Sequence, residues 1–174
     1  MEISFGSFKL EVNSKGQAMV DRRSEFERVS EDSGEVFIWT CETYDYAAAD
    51  TILLVRNDRT DKDLHILKVV LHGDTETEVE IHVPTVAFTI AGTAVVGEAL
   101  NRSLDRDATT YATAKANETG NTQGDVIERK RIKADTDMEV NLDGAVILGS
   151  NQAIGIDYVT IGAEAHVSIW GYFK

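Results

Sequence analysis

One cysteine and one proline stand among 174 residues, and basic residues are outnumbered by acidic ones, 17 against 30. A lone Cys41 excludes an intrachain disulfide, and its place in the apolar run VFIWTC predicts an inert buried thiol. With 43% hydrophobic and 27% charged residues, the chain is neither disordered nor fibrous. No apolar run reaches the ~18 residues of a bilayer span. The longest, VAFTIAGTAVVG, is broken by threonine and glycine. The opening MEISFGSFKLEV lacks a basic stretch followed by an apolar one, so no secretory signal is expected and synthesis in a cytoplasm is. A net charge of −13 repels phosphate backbones and anionic headgroups, which excludes nucleic acid and membrane as expected partners. The basic cluster Arg129-Lys130-Arg131 with Lys133 lies between acidic stretches and is expected on a solvated strand face.

What is present is a period of two. In TEVEIHV, Val79, Ile81 and Val83 alternate with Glu78, Glu80 and His82, the pattern of a strand with one wet face. The closing AHVSIWGYF places Val167, Ile169 and Gly171 opposite His166, Ser168, Trp170 and Tyr172. Further strands are expected over Phe8–Val12, Val36–Thr43, Thr51–Arg56, Leu64–His72, Val86–Ile90, Val126–Lys133, Met138–Leu142, Gly144–Leu148 and Ile154–Ile161, about ten or eleven in all. Turn residues separate them, at Asn13-Ser14-Lys15-Gly16, Asn57 to Asp61 and Gly149-Ser150-Asn151 among others, and Asp143-Gly144 in LDGAV is the strongest two-residue hairpin signal.

Short strands without crossover helices predict an all-β fold, an antiparallel β-sandwich of jelly-roll type. It is expected as a single domain over 1–174, in which 1–50 can supply an N-terminal arm or extra hairpins. Helix is expected in under about a tenth of the chain, at Ser24–Ser30 and Gly97–Leu104. Asp105 to Gly124, which lacks sustained apolar periodicity, reads as a long surface excursion with at most one extra strand near Thr109–Ala114.

Motifs that carry chemistry are missing. His65, His72, His82 and His166 show no His-x-His spacing, so no metal ligand is assigned and no cofactor is expected. His72 and His82, ten positions apart in HGDTETEVEIH, fail the His-x-His pattern of cupins, which leaves a cupin-like enzyme as the third alternative. DRTDKD, Asp58 to Asp63, lacks the glycine and downstream glutamate of a calcium loop and is expected as a solvated hairpin tip. No catalytic residue is nominated, and the expectation is a protein that is not an enzyme. Trp39, Tyr44, Tyr46, Tyr111, Trp170 and Tyr172 raise the second alternative, a carbohydrate-binding platform.

Taken in order, TILLVRNDRTDKDLHILKVVLHGDTETEVEIHV, then AGTAVVGEALNRSL, a Thr/Ala/Asn-rich loop and the closing GAVILGSNQAIGIDYVTIGAEAHVSIWGYFK resemble the jelly-roll virion proteins of tailed bacteriophages, especially capsid decoration (cement) or minor capsid proteins. Ile147-Leu148, Asn151, Ile154, Ile156 and Gly171-Tyr172-Phe173 carry most of the likeness, which covers Thr51 to the end. The resemblance implies a virion location, self-association as a homo-oligomer with a trimer favoured, and docking on the major capsid protein or another virion protein. Trp170 and Tyr172 on the outer side of the last strand, Tyr111 in the long loop, and Phe5 and Phe8 in the arm are the expected interface residues, with cover of the two outer aromatics by Phe5 or Phe8 as the competing expectation.

Overall fold

A computed structural model of the chain describes residues 2–5, 8–12, 18–20, 23–46, 51–84, 92–119 and 123–174; for the first three segments and for residues 44 and 45 it describes the backbone alone. In chain order the elements are β1 (Glu2–Phe5), β2 (Phe8–Val12), β3 (Ala18–Val20), α1 (Glu25–Asp32), β4 (Val36–Tyr46), β5 (Thr51–Asn57), β6 (Leu64–Gly73), β7 (Thr77–Val83), β8 (Thr93–Val95), β9 (Glu98–Ala99), β10 (Ala112–Glu118), β11 (Asp125–Ile132), β12 (Met138–Leu148), β13 (Ala153–Tyr158) and β14 (Gly162–Phe173). The expected strand Val86–Ile90 and the turn Asn13 to Gly16 lie outside the described residues.

Two antiparallel sheets pack face to face, ordered β11-β7-β13-β5-β10-β8 and β12-β6-β14-β4-β9. Eight strands follow a nested plan: β4 pairs with β14, β5 with β13, β6 with β12 and β7 with β11, so first meets last at every level. That nesting is the jelly roll, a long hairpin wrapped on itself so that its two halves become two sheets. The segment between β7 and β11 adds short strands at one end, β10 and β8 beside β5 and β9 beside β4. Edge strands of two and three residues present few unpaired backbone groups to a foreign strand. Among the described residues, β1, β2 and β3 pair only with one another, as a separate antiparallel sheet.

The inward positions agree with the period of two. Val79, Ile81, Ile154, Ile156, Val167 and Ile169 are fully buried between the sheets, and Val83 is half-buried. Both faces of β5 and β13 are buried, which accounts for their continuous apolar runs. Phe37, Tyr111 and Phe173 pack ring against ring at 5.1 to 5.9 Å between centroids, with Trp39 at 5.9 Å from Phe37. The last strand is therefore central: β14 lies between β6 and β4, and Phe173 donates its N–H to Glu35 O at 2.9 Å while Lys174 and Asp63 exchange backbone bonds. Cys41 is buried, donates to Ile52 O at 3.3 Å, and desolvation pushes its thiol up to about 12.

Helix α1 starts where the sequence offers a capping box. Glu27 N–H donates to Ser24 Oγ and Ser24 N–H to Glu27 Oε2, which satisfies two donors that a first helical turn leaves open. Among the described residues it is the only α-helix, in line with the low helix content expected.

Four local expectations are corrected. Asp143-Gly144 does not turn the chain back: both have positive φ, 50° and 73°, yet β12 runs through them, and Leu142 to Ala145 loop out between Asn141 (opposite Lys68) and Val146 (opposite Ile66). Both flanks pair with β6 in one direction, so the turn geometry is spent on a bulge. Over Gly97–Leu104 there is no helix but β9 and a turn, because Leu100 N–H bonds Val36 O and ties the segment to β4. The Asp105–Gly124 segment is not a surface loop throughout: a single 3-10 turn at Ala108–Thr110 leads into β10, whose Ala112, Ala114 and Ala116 are buried. Its strand therefore begins later than Thr109 and runs further than Ala114. Finally, His82 is fully buried rather than solvent-facing, with Nε2 at 2.9 Å from Asp157 Oδ1. It lies under Gly155, where an added Cβ would stand 2.8 Å from the imidazole ring, so only glycine fits.

Candidate functional site

The outer face of the five-stranded sheet is where β6, β14 and β4 present side chains outward in register. His65, Lys68 and His72 come from β6, Glu164, His166, Ser168, Trp170 and Tyr172 from β14, and Ile38, Thr40 and Glu42 from β4. Three zones follow along β14, each defined by what lies beside it.

At the chain-terminal end, α1 covers the sheet. Phe26 and Tyr172 meet edge to face at 6.2 Å between centroids, and His65 stacks on Tyr172 at 5.0 Å. Tyr172 is left 7% exposed, and burial raises its hydroxyl above the ordinary value. The cover comes from Phe26 of the helix; the side chains of Phe5 and Phe8 lie outside the described residues. Tyr172 is thus a buried residue of the subunit and not part of an exposed outer pair with Trp170.

In the middle zone Trp170 is half-buried. Lys68 places its Nζ 4.6 Å from the centroid of the indole and also pairs with Glu139 at 2.7 Å. A cation over an indole face is attracted to the ring quadrupole, so Lys68 covers part of Trp170 without enclosing it. Thr40 and Ser168 join by a 2.9 Å hydroxyl contact beside it.

At the far end lies a histidine–carboxylate group. His166 is opposite His72 on β6 and Glu42 on β4, and the two imidazoles meet edge to face at 5.4 Å. His166 Nε2 contacts Glu164 Oε1 and stands 3.4 Å from Glu42 Oε1. His72 Nδ1 is 2.9 Å from Asp137 Oδ1. Sequence spacing missed this group because its members come from three strands; the legible trace is Glu164-x-His166, two same-face positions on one strand.

Other sequence-nominated residues lie elsewhere. Tyr111 is 7% exposed, packed on Phe37 and Phe173, and its hydroxyl donates to Glu35 at 3.1 Å. It is a core residue, because the 3-10 turn before it directs the ring inward to fill the end of the sandwich. Trp39 and Tyr46 are likewise buried, so the aromatic platform reduces to Trp170 among the rings whose surroundings are described. In DRTDKD two of the three carboxylates face arginines: Asp58 takes Arg56 at 2.6 Å and Asp61 takes Arg59 at 2.7 and 2.8 Å. Arg129 and Arg131 on the edge strand β11 pair with Glu78, Glu80 and Glu76. Among the described residues no helix is long and apolar enough to cross a membrane.

The fold and this face define a class, an antiparallel jelly-roll sandwich with a polar, partly aromatic outer sheet. No protein-family model matches the chain, and no curated protein matches it significantly.

Proposed function

We propose that this chain is a non-enzymatic structural subunit of a virion, one that decorates or stabilises a bacteriophage capsid by self-association and docking on the capsid lattice. The observation that carries the reading is the pairing of a complete jelly roll with a separate three-stranded sheet near the N-terminus, whose strands pair with neither sheet of the sandwich among the described residues. A sandwich combined with a small sheet that extends neither of its layers suits a lattice protein, with one part to fill space and another to attach. Fold alone does not decide function, so the proposal also draws on the surface. Trp170, half-buried on the outer face of the sheet, can add apolar contact at small cost in side-chain entropy, which is the property that enriches tryptophan at protein interfaces.

A homo-oligomer, with a trimer favoured, is the expected solution state, and Trp170→Ala is the test. Sedimentation of the full chain should show the wild type associated and the variant dissociated, with the variant keeping its β-type circular dichroism. An unchanged oligomer together with a large loss of subunit stability would assign Trp170 to packing within the chain and remove it from the interface.

A further inference from the structure

We infer that Glu42, Glu164 and His166 form a binding site for a divalent transition-metal ion of the zinc type. Their ligand atoms, one from each side chain, all lie within 4.8 Å of one another. A tetrahedral zinc ion with ligands at ~2.1 Å needs its donors about 3.4 Å apart. His166 Nε2 and Glu42 Oε1 already stand at 3.4 Å, and Glu164 Oε1 is in direct contact with that nitrogen. Small rotations of two glutamate side chains, each partly open to solvent, complete the geometry.

The donor set selects the kind of ion. An imidazole with two carboxylates suits zinc and its first-row neighbours, whereas calcium and magnesium prefer oxygen alone. Electrostatics favour occupation, since Glu42 and Glu164 flank one nitrogen in a chain of net charge −13, and a dication relieves the repulsion between them. Position matters as well. Glu42 and His166 are cross-strand partners, and Glu164 is two residues along the same central strand, so all three are held by the backbone pairing of β14 with β4. His72 and Asp137 next to them add a second imidazole and a third carboxylate to the same patch. Three protein donors leave a coordination position for water or for a group from a neighbouring molecule.

Calorimetric titration of the full chain with zinc chloride, backed by competition against a chromogenic chelator, tests the site. One equivalent of Zn²⁺ should bind the wild type, excess Ca²⁺ should not displace it, and His166→Ala and Glu164→Gln should each weaken binding by about tenfold or more. Because these side chains lie on the outer face, both variants should keep the wild-type circular dichroism, and His166→Gln provides a same-sized replacement if the alanine variant does not. Absence of saturable zinc binding overturns the inference. So does saturable binding that survives the Glu42→Gln, Glu164→Gln, His166→Gln triple variant, which would place the ion on other carboxylates.

Discussion

Ile169→Asp is expected to leave no soluble folded protein. Ile169 is fully buried at the middle of the central strand β14, opposite Trp39 on one side and Val69 on the other. The substitution removes about 2–3 kcal/mol of apolar burial and adds a charge that has no partner there, at a further cost of several kcal/mol. A domain of this size has roughly 5–15 kcal/mol in total, so the sum is comparable with everything that holds it together. One residue away, Ser168 points to the outer face, and Ser168→Asp should fold. Soluble yield and far-ultraviolet circular dichroism distinguish the two variants; a soluble, native-like Ile169→Asp would contradict the assignment of faces.

The second large effect is expected at Glu35, where the chain's loops are fastened. Its carboxylate is mostly buried and receives the Tyr111 hydroxyl at 3.1 Å, the Ser33 hydroxyl at 3.2 Å and the Lys62 ammonium. Burial alone would raise its pKa, but the bond and charge of Lys62 with the two hydroxyls outweigh that cost and hold it below the ordinary value of 4.5. A depressed carboxylate contributes stability that is fully present above the unfolded-state pKa and is lost as pH falls through the folded one. Lys62→Met leaves a buried carboxylate without its countercharge and should cost about 1–3 kcal/mol at neutral pH, a range that allows for the partial exposure of Lys62. As pH falls through the depressed pKa of Glu35 and the carboxylate takes up a proton, the gap between variant and wild type should narrow. Urea denaturation at neutral and acid pH measures both; a deficit that is constant with pH would assign the loss to packing of the lysine stem instead.

Much of this architecture was legible because alternation is a backbone property. TEVEIHV and AHVSIW place their aliphatic residues correctly, as any strand with one buried face must. The misplacements have particular causes. Ala112, Ala114 and Ala116 alternate as regularly as valines, but alanine is too small to register as an apolar stripe, so the full extent and burial of β10 and the burial of Tyr111 just before it were hidden. Asp143-Gly144 carries the local chemistry of a hairpin, and only the pairing of both flanks with β6 reveals a bulge. His82 occupies an outward position by period, and its burial depends on cover over the outer face that alternation does not report. The histidine–carboxylate group is assembled across β6, β14 and β4, whose order in the sheet follows from jelly-roll nesting and not from nearness in sequence.

Quantitative mass spectrometry of density-purified phage particles from cells that produce the protein tests the central proposal most directly. The account predicts this chain in the particle fraction at a fixed stoichiometric ratio to the major capsid protein, retained through repeated banding. Particles that contain none of it, with the protein recovered entirely as a free monomer, would contradict the account.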